Sequence, residues 1–427
     1  DKTPITVLVK NAFSINVFEN AVEEKFPDID IIQVGNYSCD MGIAEYEARI
    51  KNDDLTDIVM TWPLDVGEQY WSERLMDLSS WSLSGKYATS MLNNIARDGK
   101  LYYLPGPSQV RSILYNKTLF AEKGWTVPTD FESFISLCHS IENSGIRSLQ
   151  LGLGNSEVFD TAFTGFGYDS SYSSTRNAQF ISNYNLGNGN FVDNFAPALE
   201  TFQRLVDEGI LKPSDLDVYY QDRERMLFNR ECAMVEDSVL LARAGNNFNG
   251  CTDEFALMPF FNPGEKGDWA RLYPVCYVGV NKHLEEPKNS KKLSIVKDIL
   301  EYISTVEGQQ SLSADTGAMF SSLLGTTPPD IPEIKDLVST LNNGRYAVFN
   351  PLKNAQVALR EGLKGIVRGN KTIEDVCAMV DKQNRNPPII AFHLMLATAT
   401  ESFTMIETGN FLTDAMREYS GCDIALF

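Results

Sequence analysis

No stretch of this 427-residue chain approaches the roughly 18 to 20 consecutive apolar residues that a membrane-spanning helix needs. Histidine is scarce. The three present, His139, His283 and His393, lie far apart, and no H-E-x-x-H occurs, so no histidine-based metal site is expected. A Walker A loop and a G-x-S-x-G elbow are also missing, and "GLGNSE" supplies only two glycines of a dinucleotide fingerprint. Seven cysteines (Cys39, Cys138, Cys232, Cys251, Cys276, Cys377 and Cys422) are scattered singly, with no C-x-x-C pair. Their odd number argues against a complete disulfide framework and leaves small buried hydrophobes as the reading. Basic charge is short as well: 37 Lys and Arg face 57 Asp and Glu, a net charge of −20, with no basic run interleaved with aromatics. Such a chain repels phosphate backbones and anionic membrane surfaces, which argues against nucleic-acid and lipid-surface partners.

What is present is globular: 43% hydrophobic, 11% aromatic and 22% charged residues, without a low-complexity tract. A chain of this length exceeds one ordinary core, so two or three packed units are expected. The first part alternates "PITVLVK" (strand), "SINVFENAVEEKF" (amphipathic helix), "DIDIIQV" (strand), "AEYEARIKN" (helix) and "TDIVMTW" (buried strand). That order is the arithmetic of a parallel α/β sheet. From Pro128 a second unit begins. "PTDFESFISLCHSIENSG" carries a capping-box pattern, Thr129 with Glu132, and a glycine stop at Gly145. "FAPALETFQRLVDEG" is a further helix, "RERMLFNRECAMVED" a helix, turn and strand, and "FALMPF" one more strand. "YPVCYVGVNK" reads as a strand returning to the first sheet. The helices "KDILEYISTVEGQQSLS", "AQVALREGLKGIV" and "TIEDVCAMVDKQ", the last capped by Thr372, precede a break at "NRNPP".

Taken in order, several of these segments resemble the family 1 extracellular solute-binding proteins of ABC importers. They are "VFENAVEEKFPDIDI", "LTDIVMTW", "LMDLSSW", "DGKLYYLPGP", "ILYNKTLFAEKGW", "VPTDFESFISLCHSIENSGI", "LVDEGIL", "CAMVEDS" and "EYISTVEGQQSLSADTGAM". Each is weak alone; their ordered succession over residues 5 to 320 carries the resemblance. It implies an α/β, two-lobed, type II periplasmic-binding-protein-like fold, each lobe a mixed or parallel sheet flanked by helices. The expected division is 1–110 with 263–320 for the first lobe, 111–262 with 321–385 for the second, and 386–427 as a C-terminal extension. The implied function is capture of a sugar or oligosaccharide by hinge closure between the lobes, followed by delivery to an ABC importer permease. The expected protein is an extracellular, cell-surface monomer without cofactor or catalytic residue. The abrupt opening "DKTPITVLV" leaves room for a removed export signal, and the only expected tie to a membrane is a lost lipid anchor.

Sugars present apolar ring faces and a rim of hydroxyls, so their sites need aromatic platforms and polar side chains in loops beyond the strand ends. Trp62 and Asp65 directly follow the strand "DIVMT", and Asn11 with Phe13 occupies the equivalent place after the first strand. Asp237 follows "CAMVE", a place where the family sets a cleft residue. Trp269, Arg271 and Tyr273 lie in the return crossover "GDWARLYPVCYV", and Gln109 and Arg111 in the first crossover "LPGPSQVRSILYN". Trp71, Trp81 and Trp125 sit at helix edges and are assigned to core packing.

The tail "TGNFLTDAMREYSGCDIALF", residues 408 to 427, resembles the opening of the 5′-nucleotidase C-terminal domain, with Cys422 in place of a usual small residue. The His, Asp and Asn motifs of those enzymes' catalytic domain have no counterpart here. The tail and the plentiful carboxylates, which leave a glycosidase pair open, motivate the alternative of a nucleotide- or glycan-acting enzyme or enzyme subunit. A surface sensor or adhesin using the same cleft is a third reading. A strand at the end of the sequence implies either that the natural chain continues or that this piece docks on the preceding domain.

Overall fold

Alternating β-branched strands and amphipathic helices build two mixed sheets. The computed structural model describes residues 2–385 except 10–13, 36–38, 62–66, 88–90, 93–94, 98, 246–249, 265–266, 348–351 and 353–354. The expected C-terminal extension, with its nucleotidase-like tail, lies outside the described residues.

The first sheet takes β1 (Thr3–Val9), β2 (Ile29–Gly35) and β3 (Ile58–Thr61) in parallel, in the order β2-β1-β3. After a two-stranded ribbon of β4 (Ala96–Arg97) and β5 (Lys100–Leu101) comes β6 (Tyr103–Pro105). The second sheet is built on β7 (Ser108–Asn116), with β8 (Arg147–Gln150), β9 (Cys232–Ser238), β10 (Phe255–Met258), β11 (Phe260–Phe261) and β12 (Asp268–Pro274). The chain then returns to the first sheet as β13 (Tyr277–Val280), antiparallel to both β3 and β6. A short β14 (Tyr346–Ala347) pairs with β12. Both sheets therefore mix parallel and antiparallel pairs, as the sequence led one to expect.

Both faces of β7 are buried, so its apolar residues divide between two cores. Ile113 and Tyr115 enter one core with helices Phe131–Asn143, Val158–Ser171, Val192–Asp207 and Gln356–Arg368. Val110 and Leu114 enter another with Leu227, Val235, Leu272 and Ile334. The first sheet has its own core, where Trp71 packs edge-on against Tyr103 at 4.9 Å. Trp81 packs half-buried on that core and Trp125 on the second sheet's, so all three tryptophans assigned to packing do pack.

Local signals shift in three places. The capping box of helix Phe131–Asn143 is formed by Asp130 and Ser133, not Thr129 and Glu132. A carboxylate in extended backbone is a strong acceptor for the orphan N–H groups of a first turn, and Thr129 Oγ1 instead donates to Asp130. "FALMPF" splits at Pro259 into β10 and β11, since proline has no N–H to continue a ladder. "KDILEYISTVEGQQSLS" is two helices, Ser290–Ile303 and Val306–Thr316, because Thr305 caps the second through Gly308 N. Thr372 caps its helix as expected, accepting from Asp375 N.

Three segments cross between the sheets side by side. Gly106 N donates to Cys276 O at 2.8 Å and Val275 N to Pro107 O at 2.8 Å, so the β6–β7 and β12–β13 crossings form one continuous antiparallel ladder. The third segment follows helix Val306–Thr316: Ser108 and Phe320 exchange backbone bonds of 2.7 and 3.0 Å, and the hydroxyls of Ser108 and Ser322 meet at 2.6 Å. Gln309 ties it down, accepting from Ser322 N and donating to Pro105 O. Gly106 is required by close approach, since a Cβ there would collide with Cys276 Sγ and stand 3.0 Å from Cys276 O. Gly106→Ala should therefore lower stability by about 1–3 kcal/mol in urea unfolding. Cys276→Ala in the same chain should return part of that loss, and a neutral Gly106→Ala would contradict the packing account.

Elsewhere in the second lobe, Glu142 gathers Arg147 Nη1 (2.6 Å), Ser148 N (2.8 Å) and Lys212 Nζ (2.7 Å), fastening a helix end to β8 and to the turn before Pro213. Burial pushes its carboxyl up, but those donors outweigh it and hold the pKa at about 2. The folded value lies below the unfolded one, so this stabilisation is complete above about pH 5 and fades as pH falls toward 2. Glu142→Gln should cost about 1–2 kcal/mol at pH 7, after allowance for solvent screening of a partly exposed site. By pH 2.5 most of that difference should have gone in paired urea titrations.

Candidate functional site

Six of the ten residues singled out in the sequence are described, and they converge on the second sheet beside the crossings. β7 and β12 set Gln109 opposite Tyr273 and Arg111 opposite Arg271, while β9 sets Ser238 opposite Arg111 and Glu236 opposite Ile113. Alternate residues share a face of a strand, so Gln109, Arg111, Arg271, Tyr273 and Glu236 line one face. Two guanidinium groups directly across a ladder repel, and the arrangement requires a carboxylate beside them. Glu236, 1% exposed, supplies it.

Arg111 grips Glu236 with a fork: Nε donates to Oε1 at 2.7 Å and Nη2 to Oε2 at 2.9 Å. Arg111 Nη2 also reaches Asp237 Oδ2 at 3.4 Å. From the other side comes Arg223, 1% exposed, on helix Tyr220–Phe228. Its Nη2 donates to the same Asp237 oxygen, its Nη1 lies 3.6 Å from Glu236 Oε2, and Nη1 also donates to Leu151 O at 3.1 Å. Asp237 Oδ1 accepts from Ser238 N at 2.6 Å and Ser238 Oγ at 3.2 Å. Four protein donors thus fill the Asp237 carboxylate. A second cluster adjoins: Arg271 Nη1 donates to Thr161 Oγ1, and Asp160 is held by Arg360 and by Gln356 Nε2 at 2.6 Å.

Electrostatics follow this packing. Burial pushes the Glu236 carboxyl up, but Arg111 beside it, with Arg223 and Arg271, holds it below the usual range. Burial pulls the Arg271 guanidinium down, with Glu236 opposing and Arg111 adding to the shift. Burial and Asp237 raise the Glu224 carboxyl. Tyr273 and Tyr220 are pushed up, chiefly by burial, and stay protonated donors at neutral pH. Among the described residues the carboxylates of the wall are consumed internally. Arg111 Nη1 and the hydroxyls of Tyr273 and Tyr220, all on half-buried side chains, have no hydrogen-bond partner among those residues.

Gln109 is 7% exposed and donates from Nε2 to Gly317 O at 3.4 Å, which ties the first crossing to the third segment. Trp269, expected as a stacking platform, is 6% exposed and its ring is committed to Tyr168 at 4.4 Å. Its indole Nε1 is buried without a partner among the described residues. Trp62, Asp65, Asn11 and Phe13 lie outside the described residues; β3 ends at Thr61 and β1 at Val9, just before them. Arg223, Glu236, Asp160, Thr161 and Arg360 were not picked out from the sequence. The legible sign for Arg223 is its spacing of four from Leu227, which puts it on the apolar side of its helix.

Two lobes, a bundle of crossing strands and a polar wall beside it define a two-lobed solute-binding fold. The chain shares that fold with the family 1 extracellular solute-binding proteins. It superposes on such a protein from Bifidobacterium longum subsp. infantis with a TM-score of 0.74, at 16% identity over 90% of this chain and 98% of that one. It superposes on the solute-binding protein RafE in complex with raffinose with a TM-score of 0.60, at 17% identity over 90% and 99% of the two chains. In sequence it is 29% identical over 101 residues to the multiple sugar-binding protein of Streptococcus mutans serotype c (strain ATCC 700610 / UA159). That match spans 22% of this chain and 23% of the relative's length. No family model matches the chain.

Removing the central carboxylate tests the wall. Glu236→Gln leaves Arg111 and Arg223 with Asp237 as their shared carboxylate and should cost about 3–5 kcal/mol in urea unfolding. A loss below about 1 kcal/mol would show that Arg111 and Arg223 do not depend on it.

Proposed function

We propose that this protein is a carbohydrate-binding solute receptor, closing its lobes about the crossing strands and presenting the bound sugar to an ABC importer permease outside the cell. The observation that supports it best is the position of Arg111 Nη1 and the Tyr273 and Tyr220 hydroxyls. They are unused donors on a wall that starts at the crossings, where closure would bring the other lobe against them. Hydroxyl-rich ligands need such groups, and a site built to pair hydroxyls rejects ligands that lack them. The fold and the sugar-binding relative point the same way. Among the described residues no helix is long and apolar enough to cross a membrane. The lobe boundaries are proposed to fall at Gly106, at Val275 and beside Phe320, which assigns residues 263–274 to the second lobe. Trp62, Asp65, Asn11 and Phe13 are proposed to contribute from the first lobe.

A thermal-shift panel of raffinose, galactose, chitin oligosaccharides and xylo-oligosaccharides, with short peptides and spermidine beside them, tests this reading. A sugar at a hundred times its Kd should stabilise the folded protein by about 2.7 kcal/mol. Shifts confined to the peptides or spermidine would reassign the ligand class. For the sugar that binds, Tyr273→Phe should weaken affinity about 3- to 10-fold by calorimetry, the value of one hydroxyl hydrogen bond.

A further inference from the structure

We infer that Arg223 is the positioning residue of this site: it touches no ligand, and it aims Arg111. The inference rests on the receptor reading given above.

The geometry is a double clamp. Arg111 and Arg223 grip the same two oxygen atoms, Glu236 Oε2 and Asp237 Oδ2, from opposite sides. They differ in what else they hold. Arg223 is 1% exposed, anchored to Leu151 O at the end of β8, and covered by the Tyr220 ring at 4.6 Å. The Arg111 side chain is 24% exposed and keeps Nη1 outside the clamp. Arg223 is therefore the fixed half and Arg111 the presenting half.

Charge shows why the fixed half matters. Glu236 and Asp237 are consecutive buried carboxylates, and one guanidinium cannot neutralise both. Without Arg223, Arg111 would be drawn inward as the remaining guanidinium on Asp237, and its outward nitrogen would leave the orientation set by the fork. Tyr220, which loses the cation beneath its ring, would lose its seat as well. Lysine keeps the charge but cannot reach Leu151 O, Glu236 and Asp237 together, because it lacks the planar fork. Glu224, on the same helix, is pushed up by burial and by the Asp237 charge; as a carboxyl it is neutral or negative and cannot replace the Arg223 cation.

The test compares Arg223→Met, Arg223→Lys and Arg111→Gln, each alone, and the Arg223→Met/Arg111→Gln double variant. Arg147→Met is the control, since it breaks a buried ion pair with Asp215 at the far end of β8. Affinity is read by calorimetry for whichever of raffinose, galactose, chitin oligosaccharide or xylo-oligosaccharide binds the wild type, under conditions where each variant is folded. Arg223→Met should weaken binding at least tenfold, Arg223→Lys by less, and Arg147→Met by no more than twofold despite its lower melting temperature. In the Arg111→Gln background, Arg223→Met should weaken affinity by no more than about threefold, because the residue it aims has gone and only the seat of Tyr220 is still affected. If Arg223→Met does not fold, Arg223→Lys alone and combined with Arg111→Gln gives the same comparison.

Equal effects of Arg223→Met in both backgrounds, or a wild-type-like affinity in the single variant, would overturn the assignment while leaving the receptor reading intact. A wild type that binds none of the four sugars would overturn the receptor reading, and this inference with it.

Discussion

The joint between the lobes and the proposed site both depend on the ladder shared by the β6–β7 and β12–β13 crossings. A strand that leaves one sheet and enters another normally exposes its backbone groups at the joint. Here the two crossings run antiparallel and pair through the joint, Gly106 with Cys276 and Val275 with Pro107, while Ser108 N is taken by Phe320 O of the third segment. The same register then sets the facing pairs farther along each strand. Once Pro274 faces Ser108, Tyr273 must face Gln109 and Arg271 must face Arg111. The site and the joint are one piece of backbone, and a change of register in either would move both.

That register also creates the electrostatic problem that the second lobe solves. Opposed arginines would be a poor choice on a surface strand; on a half-buried wall they are tolerable only because β9 delivers two consecutive carboxylates and a helix delivers a third arginine behind them. The result alternates charge in depth, from Arg111 through Glu236 and Asp237 to Arg223. A network of this kind is weak evidence for stability, since its desolvation cost is large. Its value is orientation: both oxygens of the Asp237 carboxylate are spoken for, and Arg111 Nη1 stays outside the clamp.

The fold was largely legible. Alternating strand and helix patterns placed β1, β2, β3 and the return strand β13, and the ordered motifs supplied the two lobes that periodicity alone leaves open. Boundaries were less legible where one residue competes with its neighbour, as Asp130 does with Thr129. Of the residues singled out on the crossings, Gln109, Arg111, Arg271 and Tyr273 do share one face of the paired strands β7 and β12. Asp160 and Arg360 were not legible, since they pair 200 residues apart, and Arg223 offered only its helical spacing from Leu227, with its partner Asp237 lying 14 residues away. Long-range pairing leaves no local periodicity to read. Trp269 shows the converse limit: an aromatic in a crossover looks like a platform, and the structure buries it against Tyr168.

The scattered thiols have a consequence for a chain that would travel through oxidising surroundings with unpaired sulfur. Burial pushes Cys138 and Cys276 up to about 12 and Cys377 to about 11, and raises Cys232 further. With a pKa near 12, only about one thiol in 100,000 is ionised at neutral pH, and the thiolate is the species that attacks a disulfide. Cys276 is also enclosed by packing, since its sulfur sits in the space that Gly106 leaves by having no side chain. The tight joint between the lobes therefore also acts as chemical shielding, and it keeps a mechanically central sulfur inert without the help of a disulfide.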